Sequence, residues 1–243
     1  MADTEHGAAT ENGDELVGPF DIDDFDDPAV ATLARLDLGS VLIPLPEGGQ
    51  VQVEMSNTGV PSVVWVGTPY GRFTIAAYAA PKSSGLWREV ASELADALRK
   101  DGANVSIEDG PWGREVVGVG SKNTGVVRFI GIDGYRWMVR CVVNGPAETI
   151  AQAAEAARNA LADTVVRRGD TPLPVRTPLP VQLPEAMAAQ LRALTEQAAA
   201  QQAQAGGEPQ PTPAQEQPAQ QQPVARRGTL GSAMQQLRTI TGG

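Results

Sequence analysis

Val126–Gly145, VVRFIGIDGYRWMVRCVVNG, is the stretch that decides the fold. Two apolar runs flank Asp133-Gly134. An Asp-Gly pair in that setting predicts a tight hairpin, because both central residues of a type I′ turn need positive φ. Side chains alternate across a strand, so Tyr135, Trp137, Val139, Cys141 and Val143 share one face. Arg136, Met138, Arg140 and Val142 take the other. A two-residue loop would set Ile132 opposite Tyr135 and Ile130 opposite Trp137.

Strand signals continue on the N-terminal side of this hairpin. Val41–Leu45 and Val51–Met55 flank Pro46-Glu47-Gly48-Gly49, and Val63–Val66 and Arg72–Tyr78 flank a Pro/Gly turn. Val105–Glu108 and Arg114–Val119 flank Asp109–Gly113. Two helices interrupt the strands. The first runs from a Ser83 or Ser84 cap to about Asp101, buries Trp87, Val90, Ala91, Leu94 and Leu98, and stops at Gly102. The second starts at Pro146, buries Ile150, Ala154, Ala157, Leu161 and Val165, and ends near Gly169. Strands, helix, strand meander, helix predicts one α+β domain over residues 38–168. The expected architecture is a twisted antiparallel sheet with both helices packed on one face.

The flanks differ in composition. Residues 1–30 form an acidic arm: the first 27 residues hold ten of the 29 acids and no Lys or Arg, so the other 19 acids balance the 19 bases. The net charge of −10 therefore belongs to the arm. Phe20, Ile22 and Phe25 lie among its aspartates. The arm is either a disordered, solubilising lead-in or a docking segment that folds onto a partner or its own domain. Residues 169–184 carry five prolines and read as a stiff connector. A possible helix follows at 185–204, then a Pro/Gln-rich disordered linker at 205–228. In the last segment, 229–243, Leu230, Met234, Leu237 and Ile240 recur at helical spacing. This is either a binding peptide that folds on its partner or a frayed end.

Several chemistries are disfavoured. His6 is the single histidine and lies in the arm, so a Ser-His or Cys-His site has no base within the domain. One histidine and one cysteine cannot make a zinc site, and no cofactor motif is present: Gly118-x-Gly120 and Gly131-x-x-Gly134 open no helix. Cys141, mid-strand beside Val139, reads as a core thiol. A neutral body lacks the basic field of a nucleic-acid binder. No run approaches the ~20 apolar residues of a membrane span. The lone cysteine suits a reducing, cytoplasmic setting. Arg136 and Arg140 share a strand face, which is either simply solvated or an anion-accepting patch for the acidic arm.

The strings LGSVLIPLPEGGQVQVEM, TPYGRFTIAAYAAPKSSGLWREV, DGPWGREVVG and RFIGIDGYRWMVRCVVNGPAE resemble the actinobacterial family catalogued as domain of unknown function 3710. The resemblance spans roughly Phe20 to Arg168, and the terminal RRGTLGSAMQQLRTITGG is similar too. It implies no activity, cofactor or catalytic residue. The element order also resembles the Mog1/PsbP-like arrangement, whose members are usually binding or assembly modules. The expectation is a non-catalytic, cytoplasmic adaptor or assembly factor that binds another protein. Its candidate contacts are Phe20, Ile22, Phe25, Arg136, Arg140, Leu230, Met234, Leu237 and Ile240. The alternative is a small-ligand binder or enzyme with a carboxylate-based site at the sheet–helix edge near Trp112 and Tyr70.

Overall fold

The computed structural model describes residues 18–56, 60–120 and 125–205, with side chains in the last helix described to residue 197. The chain separates into two units, 1–182 and 183–243. The first begins with β1 (Phe20–Asp21), a single 3-10 turn (Ile22–Asp24) and α1 (Pro28–Thr32). Next come β2 (Arg35–Asp37), β3 (Val41–Pro44), β4 (Gln50–Met55), β5 (Pro61–Thr68) and β6 (Gly71–Ala79). Helix α2 (Leu86–Lys100) leads to β7 (Asn104–Gly110), β8 (Gly113–Val119), β9 (Val126–Asp133) and β10 (Trp137–Gly145). Helix α3 (Ile150–Ala162) and β11 (Val165–Val166) close the unit. The second unit contributes α4 (Glu185–Ala205).

Seven strands form an antiparallel sheet in the order β4-β5-β6-β10-β9-β8-β7. A smaller sheet has the order β1-β11-β3-β2, with β1 parallel to β11. The chain is thus the expected α+β domain built on an antiparallel sheet. The β9–β10 hairpin lies inside the sheet, and its Val139, Cys141 and Val143 are fully buried.

The turn sits at Tyr135-Arg136, two residues beyond the expected Asp133-Gly134. Asp133 pairs with Met138, Ile132 with Val139 and Ile130 with Cys141, leaving four residues between the paired ends. The Gly134 N–H donates to the Trp137 carbonyl at 2.9 Å, and Arg136 takes the left-handed φ of 63°. A slip of four residues preserves the expected faces because the side-chain period of a strand is two. Arg128 shares its face with Val143, and Gly131 shares the opposite face with Arg140.

The two helices lie on opposite faces of the sheet, not on one. A Cβ at Gly131 would strike the Trp87 ring at 2.0 Å, and one at Gly118 would meet Leu98 at 2.8 Å, so α2 lies on the Arg140 side. On the other side α3 covers Gly71, Gly145 and Cys141, with Ala153 3.2 Å from a Cβ built at Gly71. An amphipathic stripe tells that a helix buries one side, not which sheet face receives it. The α2 cap also differs. Its N-cap is Gly85, with φ 118°, and neither Ser83 nor Ser84 caps it. Asp133 of the hairpin does so, accepting from the Gly85 N–H at 2.8 Å and the Trp87 N–H at 3.0 Å. At the other end the chain turns at Gly102, φ 82°, and Ala103 donates to the Leu98 carbonyl. Residues 146–149 form a turn before α3 instead of its first helical turn.

The Pro-rich segment is part of the sheet's surroundings. Pairing of β5 with β6 runs only from Thr68↔Gly71 to Val66↔Phe73. Beyond it Leu179 donates to the Ala77 carbonyl at 2.9 Å, and Ala79 to the Thr177 carbonyl at 2.8 Å. Gln182 donates to Leu38, and Leu179 is 4% exposed. Proline has no N–H, so the donors come from the residues between prolines. The first unit's contacts therefore continue past Arg168.

Candidate functional site

The acidic arm folds onto its own domain from Gly18 onward. Phe20 pairs with Val165, and its N–H donates to the Thr164 carbonyl at 2.9 Å. Phe20, Ile22 and Phe25 pack against Ala31, Leu42 and Val165, all fully buried. The rings of Phe20 and Phe25 meet edge to face, with centroids 6.0 Å apart. Asp21 accepts from the Trp137 indole N–H at 2.7 Å. These three apolar candidates are core-forming contacts of the domain itself.

Arg136 and Arg140 are not brought to the arm. Arg136 sits in the hairpin turn, where its carbonyl accepts from the Ala80 N–H at 3.0 Å and Arg168 Nε at 3.1 Å. Arg140 lies on the α2 side. Its guanidinium stacks 4.8 Å from the Tyr78 ring centroid and donates to the Tyr78 hydroxyl. Trp137, which holds the arm, has the opposite strand parity and points to the α3 side. Leu230, Met234, Leu237 and Ile240 lie outside the described residues.

Sequence reasoning missed a buried ion cluster on the α3 side. Glu115 is 1% exposed. Its carboxylate accepts from Arg128 at 2.7 Å and from Arg158 of α3 at 2.7 and 3.0 Å. Arg128 also reaches Glu108, directly across from Glu115, at 2.6 Å. Burial alone would pull Arg128 down, but its bonds to Glu115 and Glu108 outweigh that and raise it. Cys141 is fully buried beside the cluster. Burial pushes its thiol up, and the Glu115 charge adds to this. A carboxylate in phase with Val117 and Val119 was the available signal, since that parity faces the core. A Cβ at Gly110 would lie 2.2 Å from Glu115 Oε1, so glycine leaves room for the carboxylate.

Three acids near strand ends have structural partners. Asp133 caps α2, and Glu108 and Glu115 hold Arg128. Elsewhere Asp37 binds Arg167 at 2.9 and 3.0 Å, a bond that holds its carboxyl below the usual range against partial burial. One recess in the surface lies away from Trp112 and Tyr70. It lies at the start of α2, a shallow half-open recess of about 190 Å³ bordered by Ser84, Leu86, Glu89 and Arg176. Arg176 is itself tied to Glu93 at 2.9 Å and Glu89 at 3.1 Å. Among the described residues no group of three His, Cys, Asp or Glu side chains is placed to hold a metal. Among the same residues no helix is long and apolar enough to cross a membrane.

No curated protein matches the chain. A solved structure, the crystal structure of LpqN involved in cell envelope biogenesis of Mycobacterium tuberculosis, is similar at 13% identity over 52% of this chain and 83% of that one, with a TM-score of 0.29. The model of the family described as "Protein of unknown function (DUF3710)" matches residues 18–190, which contain both sheets, α2, α3 and the docked arm, and the chain belongs to that family.

Proposed function

We propose that this protein is a non-catalytic cytoplasmic adaptor or assembly factor that binds another protein, with residues 229–243 as a tethered second contact. The observation that supports it best is that Glu108, Glu115 and Asp133 serve as structural partners and that the thiol is buried. Glu115, together with Glu108, balances the charge of Arg128 and Arg158, Asp133 caps a helix, and Cys141 is sealed in the sheet. Such groups build a rigid platform and are not poised for proton transfer, which needs an accessible group near its operating pKa. The stripe Leu230, Met234, Leu237 and Ile240 follows a Pro/Gln-rich spacer, a composition that suits a tethered peptide. Tethering raises the local concentration of the second contact and strengthens binding without new surface on the domain. The single cysteine is compatible with a reducing compartment.

The test is affinity capture with the full chain beside a chain ending at Gly228 and a full-length Leu230→Asp, Leu237→Asp variant. A partner kept by the first and lost by the other two supports the reading. Equal capture by all three removes the tethered contact from it.

A further inference from the structure

We propose that the part of the large sheet beside α2, over β5, β6 and β10, is a docking surface for an acidic extended segment of a partner protein, gripped by Arg72 and Arg140. The inference rests on the protein-binding reading and adds the location and chemistry of the contact.

Helix α2 packs on β7, β8 and β9. On the same face, the neighbouring strands carry Gln52, Trp65, Arg72, Thr74, Ala76, Arg140 and Val142, as the register requires. Gln52 and Glu54 at the β4 end of this face are exposed, Arg72, Ala76, Arg140 and Val142 are half-buried, and Trp65 and Thr74 are buried, so a ligand would meet the face at its half-buried positions. Both guanidinium groups lie over aromatic rings: Arg72 Cζ is 4.3 Å from the Trp65 centroid and Arg140 Cζ 4.8 Å from that of Tyr78. Arg140 already spends one N–H on the Tyr78 hydroxyl, and the N–H groups that remain on each guanidinium can take a carboxylate.

Neither arginine has a carboxylate partner among the described residues. Arg35, Arg99, Arg128, Arg158, Arg167 and Arg176 form ion pairs, whereas Arg88, Arg114, Arg136, Arg168 and Arg192 share the unpaired state of Arg72 and Arg140 among the described residues. Two buried donors on this face also lack partners, Trp65 Nε1 and Arg140 Nε, and Trp65 is 2% exposed. A third, Arg128 Nε, lies on the other face. Glu54, on exposed β4, is the carboxylate these four strands add to the face. Unpaired cations and unsatisfied buried donors are costly unless an acceptor arrives.

The spacing favours a peptide. Arg72 lies opposite Asn144 and Arg140 opposite Ala76, so the two are four residues apart along adjacent strands. That is about 13 Å at 3.3 Å per residue, the separation of acids at i and i+4 in an extended chain. Between them lie Thr74, Ala76 and Val142, an uncharged floor for side chains. A nucleic acid would need a continuing row of cations, which this floor does not provide.

The test uses the full chain and a fluorescent extended peptide carrying Glu at two positions four apart, beside its Gln counterpart and an oligodeoxythymidylate. Saturable binding of the Glu peptide, at least tenfold weaker with Gln, with Arg72→Ala or with Arg140→Ala, is expected. In the wild-type chain the Glu peptide should also shield Arg72 and Arg140, but not surface Arg99, from phenylglyoxal, a readout independent of variant folding. No binding, equal binding of the Gln peptide, unshielded arginines, or a preference for the oligonucleotide would each overturn the proposal. A tail-dependent partner captured equally by the two Arg→Ala variants would sink this surface and leave the adaptor reading standing.

Discussion

Asp133 and Trp87 are joined twice over: the Asp133 carboxylate accepts the Trp87 backbone N–H at 3.0 Å, while the Trp87 ring lies over Gly131, two residues before it. The hairpin thus both caps α2 and seats its largest side chain. Removing the cap with Asp133→Ala should cost about 1–2 kcal/mol, and Asp133→Asn less, since Asn still accepts. Urea denaturation of the two variants checks the ranking. Equal stability of Asp133→Ala and wild type would discard the cap as a stabilising contact.

Gly131→Ala should be destabilising by about 1–3 kcal/mol, because the added methyl would sit 2.0–2.5 Å from indole carbons of Trp87. Trp87 is buried and its Nε1 is bound to the Arg114 carbonyl at 2.8 Å, so it cannot simply swing away. A smaller ring should relieve the clash. The Gly131→Ala, Trp87→Phe pair should therefore show a favourable coupling in a double-mutant cycle.

Glu115→Ala should cost about 3–5 kcal/mol, because it leaves Arg158 with no carboxylate and Arg128 with Glu108 alone in a partly dry interior. Replacing all three charges with Glu115→Leu, Arg128→Met and Arg158→Met should be tolerated better than the single change. Desolvation of the cluster offsets most of its Coulomb energy, and an apolar set has no such cost. Denaturant midpoints decide it, and a triple variant less stable than Glu115→Ala would refute the account.

Two groups set limbs of the pH–stability curve. Asp37 is held below its ordinary value by Arg167, so its contribution is present above about pH 4 and fades as pH falls through the lower folded value. Arg167→Ala should flatten that acid limb. The Cys141 thiol is raised by burial, so the unfolded chain ionises first and stability falls as pH climbs past about 8.5. The slope from one thiol is at most about 1.4 kcal/mol per pH unit, and Cys141→Ala should lack it. Stability measured by urea from pH 3 to 10 reads both limbs.

The arm makes the sharpest contrast with a charge-patch picture. Arg140 lies across the sheet from Asp21, so Arg136→Glu with Arg140→Glu should leave amide exchange at Phe20–Phe25 unchanged. Trp137→Phe removes the donor to Asp21, and Phe20→Ala removes an apolar contact. Both should speed exchange there.

Local chemistry made much of this fold legible. Alternating apolar runs, turn residues and two amphipathic stripes place the strands and helices near where they lie, because each signal acts over a few residues. The faces of β10 survived a four-residue error in register because side-chain alternation has a period of two. What lay beyond the sequence depends on distant partners. The α2 cap comes from Asp133, 48 residues after Gly85. Glu115 is neutralised from β9 and α3, and the Pro-rich segment lies along β6 where β5 departs. Which sheet face each helix takes is likewise settled by Gly131, Gly118 and Gly71, where a missing Cβ admits a particular neighbour. Periodicity records that a residue is buried. Only the packed chain, through close approach and paired charge, decides against what.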